Sequence, residues 1–306
     1  MTFRFTVFTP TYNRAHTLPR LYESLKLQTF RDFEWLIVDD GSSDNTEEMV
    51  KAWQKEALFP IRYFWQENAH KKAAFNRGVK EAAGELFLTL DSDDEALSEA
   101  MEILERHWCA ILESKREGFS AVTGLCIDEN GKIIGDSFPH DIFDSDSIEI
   151  FHRYKIKGDK CGFHRTDVLR RFPFPEAVLG HVPEGIVWSS ISANYKTRFV
   201  NEPIVTVHFD AGESITRTIS PHVEHAEGHA LWARQVLCNE WRWLLHNPWW
   251  ILKMAANYTR FHLHLKKSQS GKCFALKGIA PRFLMTIMWP IGTLRYWFDV
   301  RRESRE

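Results

Sequence analysis

The chain has 306 residues, a formal charge of −2 and 44% hydrophobic content with 12 Trp, enough apolar mass for one large folded domain with an appendage and too much for a disordered chain. The charge is segregated: residues 246–306 hold 11 Lys or Arg against 3 Asp or Glu, and residues 1–245 hold 28 against 38, balances of +8 and −10. Because the basic tail is interleaved with Trp, Phe and Leu, it favours an anionic membrane surface and speaks against nucleic acid.

Phe5–Thr9 reads as a strand that Pro10-Thr11-Tyr12-Asn13-Arg14 breaks before a helix carrying Leu18, Leu21 and Leu25. Phe33–Val38 is a second apolar strand, ending in Asp39-Asp40-Gly41-Ser42-Ser43-Asp44, where Asp44 and Glu47 have capping-box spacing for a helix over Asn45–Gln54. A third strand, Ile61–Trp65, leads through Glu67–Lys72 into a helix with Ala73, Ala74, Val79, Ala82 and Ala83 on its apolar side. A fourth, Glu85–Leu90, runs into Asp91-Ser92-Asp93-Asp94. Strand–helix alternation of this kind predicts a parallel, helix-covered sheet whose ligands lie beyond the carboxyl ends of its strands. All four polar clusters follow strands, so they are expected on one edge.

Ser98 opens a helix to about Leu112, and Ala121–Ile127 with Lys132–Ile134 flank an Asn130-Gly131 hairpin turn. Further on, Ile148–Tyr154 reads as helical, Cys161–His164 as a short strand, and Thr166 as the cap of a helix over Asp167–Arg171. A helix to about Tyr195 follows Val182–Trp188, then strands at Thr197–Val200 and Ile204–His208. From His222 the chain turns to Trp-rich helices, with Lys266–Lys272 as a polar linker. The last apolar stretch, Phe283–Gly292, is short of the roughly 20 residues that span a bilayer; bracketed by Arg282, Arg295, Arg301 and Arg302, it reads equally as an interfacial segment or a helix packed on the rest. The five cysteines form neither a C-x-x-C pair nor an even framework, and no signal-type run opens the chain, so a reducing, cytoplasmic setting is expected, peripheral to the inner face of the plasma membrane if the tail binds lipid.

Crowded carboxylates raise one another's pKa, so Asp91, Asp93 and Asp94 after one strand make chemical sense around a hard divalent cation, Mn²⁺ or Mg²⁺, which brings phosphates with it. Lys71 and Lys72 add positive charge, and no glycine-rich phosphate loop is present. Metal and side chains must then hold a nucleotide diphosphate.

Thr9–Arg14, Val38–Asp44, Asn76-Arg77-Gly78 with Ala82–Glu85, and Leu90–Asp94, in this order and spacing, resemble the family 2 inverting glycosyltransferases. The resemblance covers about residues 3–95 and continues more weakly through Phe172–Glu176, Pro183–Trp188 and Asn201–Pro203. It implies an A-type fold, a mostly parallel nucleotide-sugar-binding sheet flanked by helices. Residues 1–220 would form the catalytic domain (1–95 the nucleotide-sugar half, 96–220 the acceptor half) and residues 221–306 a helical C-terminal extension. Pro10, Thr11, Tyr12, Asn13, Arg14, Asp39, Asp40, Lys71, Asp91, Ser92 and Asp93 would line the nucleotide. Asp40 would meet the base, while Asp39 assists it or holds the loop. Asp91 and Asp93 occupy the family's D-x-D positions toward ribose and metal; Asp94 is open between a ligand and a helix cap, and His208 is a candidate to complete the metal shell. Asn76 is expected to fix loop geometry, and Ala69-His70 replace a Gly pair common in relatives. The general base would be Glu184 at a helix start, with Asp159 and Glu176 as runners-up. The implied activity is inverting transfer from a nucleotide sugar, UDP-linked, to a glycan or lipid-linked acceptor in cell-surface polysaccharide synthesis. A nucleotidyltransferase would need a Gly-rich, basic loop after the first strand, and a non-catalytic scaffold would tolerate loss of Asp91 or Asp93; the sequence has neither feature.

Overall fold

In the computed structural model, which describes residues 2–209, 225–267 and 274–303, the chain divides into two compact units, Met1–Phe174 with Ser189–Gly212, and Pro175–Trp188 with Glu213–Glu306. The expected boundary at 220/221 and most of the 266–272 linker lie outside the described residues.

The first unit is built on one sheet. Strands β1 (Phe3–Thr11), β2 (Phe33–Asp39), β3 (Ile61–Trp65) and β4 (Gly84–Thr89) pair in parallel in the order β3-β2-β1-β4. Helices α1 (Leu18–Lys26), α2 (Thr46–Glu56) and α3 (His70–Glu81) are the crossovers. Seven successive buried residues in β2 mark a strand covered on both faces, and Trp35, Phe5 and Phe33 are wholly buried there. Every strand of this half therefore ends on one edge, as the alternation predicts.

Beyond β4 the sheet turns mixed. β8 (Lys160–Arg165) pairs antiparallel with both β4 and β6 (Phe119–Ile127), and β9 (Lys196–Thr206) runs parallel to β6. A two-residue β5 (Glu95–Ala96) and β7 (Ile142–Ser145) pair antiparallel with β9; neither was expected, the first because two residues carry no periodicity, the second because it is only four residues long and its one buried residue is Ser145. β9 is one strand where two were expected: register shifts against β6 between Thr123 and Cys126 absorb Pro203, as a bulge does. Ile133 forms only an isolated bridge to Ile127, and Ile150–Tyr154 is a π-helical turn. Thr166 does not cap from outside: it is the first residue of the Thr166–Leu169 turn, and its hydroxyl donates to the Gly84 carbonyl at 2.7 Å. The helix expected from Ser98 is α4 (Ala100–Cys109).

One buried charge pins the parallel half. Glu34 on β2, fully buried, accepts from Thr6 Oγ1 at 2.7 Å and from the Ala83 amide at 2.8 Å, and pairs with Arg62 at 3.1 Å. Removing Glu34 leaves the Thr6 hydroxyl and the Ala83 amide without their acceptor, while the partly exposed Arg62 keeps Glu81, so Glu34→Ala is expected to cost about 2–4 kcal/mol in urea unfolding.

In the second unit, helices Ala226–Asn239, Pro248–Lys267 and Ile279–Glu303 pack about Ala233, Leu237, Ile251, Met254, Tyr258 and Leu284. Arg260 grips Asp299 through two bonds of 2.5 and 2.6 Å, His264 adds a third at 2.9 Å, and Arg295 reaches Asn257 at 3.1 Å. The last apolar stretch belongs to a 25-residue helix that packs on this unit along one side. Among the described residues no helix is long and apolar enough to cross a membrane.

His229 in this unit stacks on Phe261 at 4.9 Å, its Nε2 buried without a partner among the described residues. Burial first, then the neighbouring His181, His225 and Arg260 charges, push its pKa down to about 4. The unfolded chain, with histidine near 6.5, then binds the proton that the folded chain refuses. Stability present above pH 6.5 is lost as pH falls toward 4, and His229→Phe should flatten that part of the urea-midpoint profile.

Candidate active site

At the end of β1 the backbone turns sharply: Asn13 adopts φ 53°. Its amide donates to Ser42 Oγ at 2.8 Å and its Oδ1 accepts from the Ser43 amide at 2.8 Å. Asp44 joins the same two loops, accepting from the Ala15 amide at 3.0 Å and from Thr46 Oγ1 at 2.6 Å. The residue before α2 is Asn45, which makes no side-chain cap bond; Asp44 accepts from the Thr46 amide at 3.2 Å, and no capping box forms, since Glu47 pairs instead with Lys51 at 2.6 Å. Tyr12 stays exposed at this edge, and Thr11 Oγ1 is buried without a partner among the described residues.

The two aspartates after β2 have different work. Asp39 is fully buried with both oxygens engaged, by the Ser42 amide at 2.7 Å and by Tyr63 Oη at 2.5 Å, an arrangement that raises the Tyr63 pKa through burial and the Asp39 bond. Of its two expected roles, this geometry is the holding of the loop. Asp40 Oδ1 accepts from Gln66 Nε2 at 2.7 Å and the Ala69 amide at 3.0 Å, while no described residue takes Oδ2. Gly41, at φ +93°, permits this crossing: a Cβ there would stand 3.0 Å from the Asn68 amide nitrogen. At the position where the resemblance implied a Gly pair, Ala69-His70 make the turn, with His70 taking φ 69°.

After β4, Leu90 is tied to Phe8 by its amide, and the turn that follows leaves Asp91, Asp93 and Asp94 half-buried and Ser92 buried, closed by the Asp94 amide on the Asp91 carbonyl at 3.2 Å. Lys71 at the start of α3 meets Asp91 at 3.0 Å, and Arg14 meets Asp93 at 3.7 Å. Arg20 of α1 donates to the Asp93 carbonyl at 3.2 Å. Burial, followed by the charges of Asp91 and Asp93, pushes the Asp94 pKa up to about 8 against the opposing pull of Lys71. Asp94 does not cap the next helix; it leads directly into β5, and α4 begins at Ala100. This oxygen-only, mutually repelling donor set suits a hard divalent cation. Among the described residues, however, no three His, Cys, Asp or Glu side chains already converge as a coordination shell.

Other expected residues fall in different places. Asp159 lies in the first unit, close enough for its charge to raise the Asp94 pKa. Asn76 braces Phe174 reciprocally, through Nδ2 on the carbonyl and Oδ1 from the amide, both 2.9 Å, which is the loop-fixing role expected of it. His208 is a correction to the expected metal shell: its Nδ1 meets Glu129 at 2.7 Å and its Nε2 meets Glu95 at 3.2 Å, so both ring nitrogens face glutamates rather than Asp91 or Asp93. Glu184 and Glu176 belong to the second unit. Glu184 is exposed, immediately precedes the Gly185–Ser192 helix, and receives the Trp188 indole N–H at 3.4 Å. Sequence reasoning missed Tyr63, Gln66 and Arg20. Tyr63 stands two residues before Trp65, the register partner of Asp39, and that register exists only in the folded sheet, so the sequence alone carried no signal for it.

Residues 6–127 match the glycosyl transferase family 2 model. Over 303 residues, 93% of each protein, the chain is 26% identical to the GalNAc(5)-diNAcBac-PP-undecaprenol beta-1,3-glucosyltransferase of Campylobacter jejuni. An uncharacterized glycosyltransferase of Rickettsia felis is 37% identical over 128 residues, 42% of this chain and 20% of that one. Among solved structures, Staphylococcus aureus TarS in complex with UDP-GlcNAc superposes with a TM-score of 0.58 at 20% identity, over 87% of this chain and 73% of that chain. The mannosyltransferase PcManGT of Pyrobaculum calidifontis, in complex with GDP-Man and Mn²⁺, does so with 0.55 at 18% identity, over 98% and 88%. The two structures establish the shared glycosyltransferase A-type fold, and the stretch that matches the glycosyl transferase family 2 model, residues 6–127, spans β1 to β6 with the aspartate edge.

Proposed function

We propose that the chain transfers a hexosyl or hexosaminyl group, with inversion, from a UDP-sugar to a lipid-linked glycan acceptor in surface polysaccharide synthesis. The observation that carries this reading is the division of labour at the sheet edge: Asp39 is consumed in holding the loop while Asp40 keeps one oxygen open beside the crowded aspartates. Asp40 would accept from the nucleotide base, Asp91 would face the ribose, and Asp93, with Asp91 or Asp94, would hold Mn²⁺ or Mg²⁺. Since no described set of side chains completes a shell, diphosphate oxygens would supply the missing positions. The bound cation supplies charge neutralisation to the departing diphosphate.

Glu184 would take the acceptor hydroxyl proton. As that oxygen forms its bond to the anomeric carbon, the bond to the diphosphate breaks and the nucleotide leaves with the electron pair, inverting the centre. The Campylobacter relative's lipid-linked substrate, and the UDP-GlcNAc bound by TarS, support the acceptor and donor classes. The test is a nucleotide-sugar panel with Mn²⁺, Mg²⁺ or EDTA, read by thermal shift and donor hydrolysis. One UDP-sugar should stabilise the protein strongly, and only with metal. Equal shifts in EDTA would remove the metal from the model, and no shift with any donor would overturn it.

A further inference from the structure

The Ile279–Glu303 helix presents two unlike sides. One packs on its own unit: Leu284 is buried, Gly292 sits so close to the Pro248–Lys267 helix that a Cβ would meet the Ala256 carbonyl at 2.5 Å, and Asp299 is gripped by Arg260 and His264. The other carries Ile279, Phe283, Ile287, Ile291, Leu294 and Phe298, every one 48% exposed or more. At 100° per residue these six fall on a single arc of about 120°. Trp297 lies on the same arc and is also exposed. A run of large apolar side chains this long is not the scattered exposure of an ordinary surface.

Charge identifies what covers it. Across residues 274–303 the sequence has five basic residues, Lys277, Arg282, Arg295, Arg301 and Arg302, and two acids, Asp299 and Glu303. Asp299 is turned inward and already paired. The apolar arc is therefore flanked by exposed Lys277 and Arg282 at one end and exposed Arg301 and Arg302 at the other, and the segment keeps a net positive charge. Another protein surface would need its own acids spaced to match both ends; a bilayer with anionic headgroups supplies negative charge everywhere around an apolar interior. We infer that this helix lies in the plane of an anionic membrane, its Ile279–Phe298 arc sunk to the acyl boundary and its terminal arginines and lysine among the headgroups. The surface is read from the second unit alone and does not depend on the transferase reading.

The test is flotation of the full chain, without nucleotide, on phosphatidylglycerol-containing and on pure phosphatidylcholine vesicles. The wild type should float with the anionic vesicles. Ile287→Glu with Leu294→Glu, both exposed and outside the packed face, should weaken partition by more than about tenfold with the circular dichroism spectrum unchanged. Arg301→Gln with Arg302→Gln should lose about thirtyfold on anionic vesicles and little on neutral ones. Three results would each overturn the assignment: no flotation of the wild type, undiminished flotation of the apolar double variant, or a wild-type dimer that the same double variant splits, which would make a second copy the occupant.

Discussion

Glu184→Gln is expected to slow sugar transfer by about 10²–10⁴-fold, the usual range for general-base catalysis, while the stabilisation produced by UDP and Mn²⁺ stays at the wild-type level. The two quantities separate because the donor is assigned to residues after β1 to β4, whereas Glu184 opens a helix elsewhere in the chain. The amide preserves the size of the side chain and leaves an oxygen to accept from the Trp188 indole, so only basicity is lost. Position at a helix start also favours a carboxylate for purely structural reasons, which predicts a different outcome: a small loss of stability and intact turnover. Asp159→Asn is the discriminating companion. Asp159 already senses the aspartate cluster through its charge; if its amide abolishes transfer and that of Glu184 does not, Asp159 is the base.

The parallel half of the sheet was legible because each of its strands is a short apolar run closed by a polar break, and nothing long-range is needed to see that. The mixed half was not. β5 is two residues long, β7 is four with a serine as its one buried residue, and Pro203 looks like a strand end until the partner strand shifts register to receive it. The site divides in the same way. Motif spacing placed Asp39, Asp40 and Asp91–Asp94 on one edge, but it could not say which carboxyl was structural. That depended on Tyr63 and Gln66, whose partners are set by strand register and by the path of the loop after β3. His208 was misplaced because a histidine after a strand is defined only by what lies opposite, here Glu95 and Glu129. In the tail, interfacial segment and packed helix were posed as alternatives, while one helix carries both a packed side and an exposed apolar one.

Asp93→Asn should abolish metal-dependent UDP stabilisation and reduce transfer by at least about 10³-fold, a loss of transition-state stabilisation of about 4 kcal/mol, yet leave the ligand-free protein as stable as the wild type or slightly more so. The two effects have opposite signs for one reason. Without ligand, burial first and then the charges of Asp91 and Asp93 push the Asp94 pKa up to about 8, and the side chains of Asp93 and Asp91 are met by Arg14 at 3.7 Å and Lys71 at 3.0 Å. Neutralising Asp93 relieves the repulsion and gives up a long, partly solvated contact with Arg14, which is worth little. The Arg20 bond survives, because it is made to the Asp93 backbone carbonyl. The same charge density that burdens the empty edge is what a divalent cation and its diphosphate would neutralise. Thermal unfolding of wild type and variant, each with EDTA, Mn²⁺, and Mn²⁺ with UDP, separates these contributions. If Asp93→Asn retained the full Mn²⁺-dependent shift, the cation would have to be held by Asp91 and Asp94 instead; if the variant were already unstable in EDTA, the aspartate turn would be a structural element and the edge would not be storing charge for a ligand.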